Sequence, residues 1–353
     1  MTNKKMLLLS LTALIGSCFL FMTVGFFVTS SQETEPAFTG AYDVNAKEDL
    51  LVVTKKDNVE TLSFQKNNDH NVTLFDSDLD AYLYSPIFVD DHTAAFIETT
   101  GYEYRDNQYD RIAEFAYSTI YSLDLITNER TVIAKARGVL LDLVYIPAKE
   151  QFIATGEDIS QNVEPQKVES GSHSALYLIE DGQLEEIYNG SYMTPSSMQA
   201  TEDGTLMLIL PDDQSNWTVD TMYEAVERIY ETDPTEQPLQ LELVSNPDKI
   251  EPITDFVQVE DGLLYQTILN YEDYDDVFDY DLVPFSLVNR EEGKRLGLNE
   301  NGIEYLRAPG NDILYYVNRT QAYRGGNAFS LHRYELETGT IDEINVTPET
   351  EAE

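Results

Sequence analysis

The chain has 353 residues, with 64 Asp and Glu against 22 Lys and Arg, for a net charge of −42. So acidic a surface excludes nucleic acid as a partner, because phosphate binding needs a basic footprint. At 42% hydrophobic and 11% aromatic residues the chain can still pack a core, and its length suits two domains or one large all-β domain.

Lys4 and Lys5 open the sequence and are followed by an uncharged, apolar stretch from Met6 to Val28, 23 residues long. A helix of that length crosses a hydrocarbon core, and the leading lysines place the N-terminus in the cytoplasm. The expectation is an uncleaved transmembrane anchor within residues 1–30, with the remainder extracytoplasmic. Two alternatives stay open. Ile15-Gly16-Ser17-Cys18 resembles a bacterial lipobox, although Phe19 to Met22 stay apolar where a lipoprotein turns polar. Val28-Thr29-Ser30 could serve as a cleavage site, giving a secreted form. Cys18 is the only cysteine, so the exported part has no disulfide or thiol chemistry. Residues 31–40 read as a polar tether, and 347–353 as an acidic, disordered tail.

Between them, 41–346 show no long helical periodicity. Short β-rich runs recur with tight turns between them. The clearest unit has strands Ser85 to Val89, Thr93 to Glu98, Tyr117 to Leu125 and Arg130 to Ala134. The same order recurs in Ala41 to Phe75, Leu141 to Tyr188, Met198 to Val244, Phe256 to a weak strand near Arg295, and Glu304 to Val346. Asp181-Gly182, Asp203-Gly204, Asp261-Gly262 and Thr338-Gly339 supply turns where φ > 0 is tolerated. Four-stranded meanders repeated in this way are blades, so the expected fold is an all-β β-propeller of six blades, with seven as the alternative. A large β-sandwich is the bland rival.

The segments Tyr121 to Arg130, Ala175 to Gly182 and Leu331 to Gly339 resemble the outer hairpins of TolB-like and related WD40-like bacterial propellers. The resemblance covers most of 41–346 loosely, and the WD dipeptide and Gly-His signature are absent. It implies the fold and carries almost nothing about activity.

With strands labelled a to d from the centre outward, the b–c loops share one face. Five are long: Thr99 to Ala116, Gly156 to Ser174, Pro211 to Val226, Asn270 to Leu282 and Arg319 to Ala328. Long loops gathered on a rigid scaffold are where binding usually resides. Tyr102, Tyr104, Asp106, Tyr109, Trp217, Tyr271, Tyr274, Tyr323 and Arg324 are therefore the expected ligand-binding face, since aromatic rings with polar handles suit recognition. The bland reading is that these loops are merely solvated.

Asp273, Asp275, Asp276 and Asp279 offer oxygen ligands at the spacing Ca²⁺ uses, but without the EF-hand pattern, and a solvated acidic loop is the simpler reading. His70, His92, His173 and His332 are too dispersed for zinc. No G-x-S-x-G elbow and no glycine-rich phosphate loop occur, so neither a serine hydrolase nor a nucleotide cofactor is expected. The leading reading is a membrane-anchored binding module for an envelope protein or exported peptide, not an enzyme. The alternative is a carbohydrate-active envelope hydrolase or lyase using carboxylates at the propeller axis. An enzyme should gather two or more carboxylates and a basic residue at the axial mouth with shifted pKa values. A binding module should show an exposed aromatic patch instead.

Overall fold

The computed structural model describes residues 35–66, 71–101, 116–158, 175–189, 195–212, 226–248, 251–260, 262–270, 279–298, 303–310, 312–320 and 327–347. The chain divides into two compact units, Met1–Pro36 and Ala37–Glu353, and every described strand lies in the second. The expected membrane segment and the end of the acidic tail lie outside the described residues. Among the described residues no helix is long and apolar enough to cross a membrane.

The second unit is a succession of antiparallel meanders. The first consists of β1 (Ala37–Val44), β2 (Leu50–Lys56), β3 (Val59–Gln65) and β4 (Asn71–Asp76). Its β2–β3 turn is Asp57-Asn58, both with positive φ (50° and 66°), the conformation a two-residue hairpin between twisted strands requires. The second meander is β5 (Tyr82–Phe88), β6 (Thr93–Thr100), β7 (Tyr117–Asp124) and the first half of β8 (Arg130–Ile146). The 17-residue β8 serves two meanders. Arg130 to Arg137 pair with β7, and Gly138 to Ile146 pair with β9 (Gln151–Asp158). Two glycines permit this crossing. A Cβ on Gly138 would sit 1.9 Å from the Glu157 carbonyl oxygen, and one on Gly156 2.3 Å from that of Val139.

The third meander continues from β9 through β10 (Ala175–Glu180) to β11 (Gln183–Asn189), turning at Asp181-Gly182 as expected, with φ 48° and 79°. The fourth contains β12 (Met198–Ala200), β13 (Leu206–Pro211), β14 (Glu227–Thr232) and β15 (Glu242–Leu243). The fifth has three strands, β16 (Ile253–Val259), β17 (Gly262–Ile268) and β18 (Tyr280–Ser286). The sixth is β19 (Ile303–Gly310), β20 (Ile313–Thr320), β21 (Ala328–Glu335) and β22 (Ile341–Ile344).

Two expectations are corrected in the fifth meander. The strand expected near Arg295 is only an isolated bridge, Phe285 to Glu292, among the described residues. Pro284 offers that edge a carbonyl, taken by the Gly293 amide at 2.7 Å, and has no N–H to give back, so a regular ladder cannot form. Gly262 is not a positive-φ turn residue but opens β17. It is required there because a Cβ would lie 2.0 Å from the Phe285 carbonyl oxygen.

The apolar core lies between neighbouring meanders, not at one centre. Leu51, Leu62, Leu83 and Phe96 join the first to the second, and Ile97, Ile120, Leu143 and Tyr177 the second to the third. Ile153, Leu176, Leu206 and Leu208 join the third to the fourth, and Ile209, Ile229, Phe256 and Tyr265 the fourth to the fifth. Val257, Leu264, Leu314 and Tyr316 join the fifth to the sixth. A further cluster packs Tyr315, Val317, Leu331 and Ile344 of the sixth against Tyr42, Leu50 and Val52 of the first. Each sheet thus buries both faces, which explains β-strands such as Leu206–Pro211 with no exposed position.

Among the described residues the first–sixth seam shares no strand, and polar side chains bridge it. Glu48 accepts hydrogen bonds from Arg333 Nε (2.7 Å) and the Tyr315 hydroxyl (2.8 Å). Asn71 Nδ2 donates to the Val346 carbonyl (2.9 Å) and Gln65 Nε2 to that of Asn345 (3.2 Å).

Candidate functional site

The first strand of most meanders carries a register irregularity: Phe38/Tyr42 in β1, Tyr84/Ile87 in β5, Leu140/Asp142 in β8, Ile253/Asp255 in β16 and Glu304/Arg307 in β19. A bulge re-aims the side chain beside it. In these strands the residue at or just after the irregularity is Asp43, Ser85, Asp142, Asp255 or Arg307. Ser85 and Tyr305 take positive φ (45° and 56°) at theirs.

These polar groups link each inner strand to a neighbour. Asp43 Oδ2 accepts the Phe88 amide (2.8 Å). The Ser85 hydroxyl donates to Asp142 Oδ1 (2.6 Å) and accepts from the Leu143 amide (3.0 Å). Gln199 Nε2 donates to the Phe256 carbonyl (2.6 Å). Asp255 accepts the Phe256 amide on Oδ1 and the Leu306 amide on Oδ2, both at 2.8 Å. Arg307 Nε reaches Asp43 Oδ1 (3.2 Å), and the Tyr42 hydroxyl donates to the Tyr305 carbonyl (2.6 Å).

Burial pushes the carboxyls of Asp43, Asp142 and Asp255 above their ordinary value, against the opposing pull of Arg307 and of the amides they accept. Arg307 stays protonated. Burial would lower its pKa, but Asp43, Tyr42, Asp142 and Asp255 together raise it.

Beside this cluster lies a cavity of about 310 Å³. Asp142, Asp255, Glu304, Arg307 and Arg319 line it, with Gln266 and Thr254. Glu304 pairs with Arg319 Nη2 at 2.6 Å, and burial raises its carboxyl too. Gln266 is 1% exposed, and its Oε1 accepts from the Thr254 hydroxyl (2.9 Å) while its Nε2 has no hydrogen-bond partner. Asp142 is similarly asymmetric, since among the described residues only its Oδ1 carries hydrogen bonds. The lining residues Gln266, Tyr280, Glu304 and Arg319 sit at the ends of β17, β18, β19 and β20 nearest the β17–β18 and β20–β21 connections. The cavity therefore lies at the strand ends from which the β17–β18 and β20–β21 connections leave.

The loop residues expected to bind lie outside the described residues: Tyr102, Tyr104, Asp106, Tyr109, Trp217, Tyr271, Tyr274, Tyr323 and Arg324. So do Asp273, Asp275 and Asp276. Asp279 is described. Its amide donates to Asn270 Oδ1 and its carbonyl accepts the Leu269 amide, both at 2.8 Å, extending the β17–β18 pairing. Among the described residues no three His, Cys, Asp or Glu side chains are grouped to hold a metal ion. The sequence reading passed over the inner-strand polar residues. A usable signal existed: an aspartate inside an apolar strand start, as in Leu141-Asp142-Leu143 and Thr254-Asp255-Phe256, where β-propensity disfavours it.

Successive meanders converging on bulged inner strands define a β-propeller. The solved structures agree. TolB from Acinetobacter baumannii is similar with a TM-score of 0.52 at 13% identity, over 89% of this chain and 64% of that one. Prolyl oligopeptidase B from Galerina marginata, bound to a 25mer macrocyclization substrate, is similar with a TM-score of 0.52 at 11% identity, over 92% of this chain and 52% of that one. The chain thus spans less than two thirds of the first and about half of the second. At these identities the likeness shows the fold alone, a loosely TolB-like propeller. No protein-family model and no curated protein matches the sequence.

Proposed function

We propose that this chain is a six-bladed, membrane-anchored extracytoplasmic propeller that binds a protein or peptide in the cell envelope. Six blades are supported by the six apolar clusters, each between consecutive meanders, with the last packing on the first. The anchor is supported by the apolar run after Lys4 and Lys5. The observation that carries the binding reading is the polar cavity at the strand ends from which the β17–β18 and β20–β21 loops leave. A rigid floor at the strand ends, with long, tyrosine-rich connections in the sequence between those strands, suits an extended partner. An array of random peptides, probed with the detergent-solubilised full chain, tests this. Enriched sequences whose binding drops when Tyr102, Tyr104 and Tyr109 are replaced by Ser support the reading. No enrichment, or enrichment indifferent to that change, refutes it.

One observation favours the enzyme reading: Asp142, Asp255 and Glu304 converge with Arg307 on one cavity, and their carboxyls are raised. Against it, both Asp255 oxygens accept backbone amides and Glu304 is ion-paired, so these two serve structure first. Glycan turnover by the full chain, abolished in Asp142→Asn, would reverse the order of the two readings.

A further inference from the structure

The charges around the cavity do not balance. Among the described residues Asp43, Asp142, Asp255 and Glu304 stand against Arg307 and Arg319, so two negative charges remain. Glu304 holds Arg319, and Arg307 is bonded to Asp43 while also lying in the fields of Asp142 and Asp255. Asp142 thus presents an oxygen, Oδ2, with no donor among the described residues. A metal ion does not answer this, because among the described residues no three carboxylates are grouped as ligands. The second observation is independent of charge. Gln266 Nε2 is buried beside the same cavity with no acceptor, and an unmatched buried amide costs stability unless something fills the role. A bound group that donates to Asp142 and accepts from Gln266 would satisfy both.

We propose that the cavity binds a primary ammonium with a neighbouring carbonyl or hydroxyl oxygen, the ammonium on Asp142 Oδ2 and the oxygen on Gln266 Nε2. This deepens the binding reading above and rests on it. A peptide's free N-terminus and an amino sugar share that chemistry. A cavity of about 310 Å³ admits one or two residues of either. Arg307 and Asp255 stay in place as the walls, holding the inner strands together.

The test uses the detergent-solubilised full chain and calorimetric titration. The probes are a dipeptide amide with a free N-terminus, its N-acetylated counterpart, glucosamine and N-acetylglucosamine. The dipeptide amide, glucosamine or both should bind, and acetylation should weaken the binding by at least about tenfold. Which amine binds identifies the source. Asp142→Asn keeps the Oδ1 acceptor for Ser85 and Leu143, and should lose at least about tenfold in affinity with little change in melting temperature. Gln266→Met, of similar length, should also weaken binding. Equal affinity for acetylated probes, unchanged binding by Asp142→Asn, or no binding of either amine overturns the proposal. If array peptides bind whatever the state of their N-termini, the cavity proposal falls while the binding-module reading stands.

Discussion

Asp255→Asn tests how the inner strands are held. The aspartate accepts the Phe256 amide on one oxygen and the Leu306 amide on the other, tying the fifth meander to the sixth while only 7% exposed. Asparagine has one acceptor oxygen, so its NH₂ must face an amide N–H. Losing one charge-assisted bond removes about 1.5–3 kcal/mol, and the orphaned amide costs about 1–3 kcal/mol more. Removing a buried charge returns part of this, because burial disfavours ionised Asp255. A net loss of about 2 kcal/mol is expected at neutral pH, a drop of roughly 4 °C for a domain of this size. The pH dependence adds a signature. Folding raises the Asp255 pKa, so its ionisation opposes folding. The wild type therefore gains stability as pH falls through the raised folded value toward the ordinary 3.8, whereas asparagine has nothing to protonate. Circular-dichroism melts across pH should show the gap between the two widening in acid. A variant as stable as wild type, or a gap that closes in acid, would refute the reasoning.

The same linkage governs the whole protein. Burial also raises Asp43, Asp142, Glu60, Glu227 and Glu304, so melting temperature should climb as pH falls from neutral toward the ordinary carboxylate range. It should fall again below the ordinary carboxylate range, where Glu48 and Asp233 (lowered to about 2) lose their partners, and a monotonic fall from pH 7 would contradict this. Glu48→Gln weakens the seam to Arg333 and Tyr315, and urea unfolding should show a loss of about 1 kcal/mol, because the site is part exposed. Gly138→Ala puts a methyl against the Glu157 carbonyl and should cost about 3 kcal/mol or more, read as loss of soluble protein or of cooperative melting, whereas Gly310→Ala meets nothing within 4 Å and should cost far less. With the anchor retained, the full chain should stay with membranes through an alkaline wash and be unaffected by Cys18→Ser. Release by that substitution would favour the lipoprotein route.

The strand order was readable because each blade strand packs on both faces, which leaves short apolar runs between polar turns. Met198–Ala200 is a strand in both accounts, and Asp181-Gly182 turns where it should. The reading failed where a local signal served a tertiary purpose. Gly262 looks like a turn glycine, yet it is required by the closeness of β18. The continuity of β8 was hidden because Arg137-Gly138 marks a break in pattern but not in backbone. The site itself was the least legible part. Loop composition directed attention to tyrosines and aspartates outside the inner strands, while Asp142 and Asp255 looked like interruptions in apolar runs. Their convergence depends on bulges in strands more than a hundred residues apart, and no local window contains it.

The most direct test of the binding reading is a crystal structure of the chain grown with the free-amine dipeptide amide. Difference density in the cavity, with the ammonium against Asp142 and the carbonyl against Gln266, is the predicted result. An unchanged cavity at a saturating concentration, with the dipeptide ordered elsewhere, would contradict it.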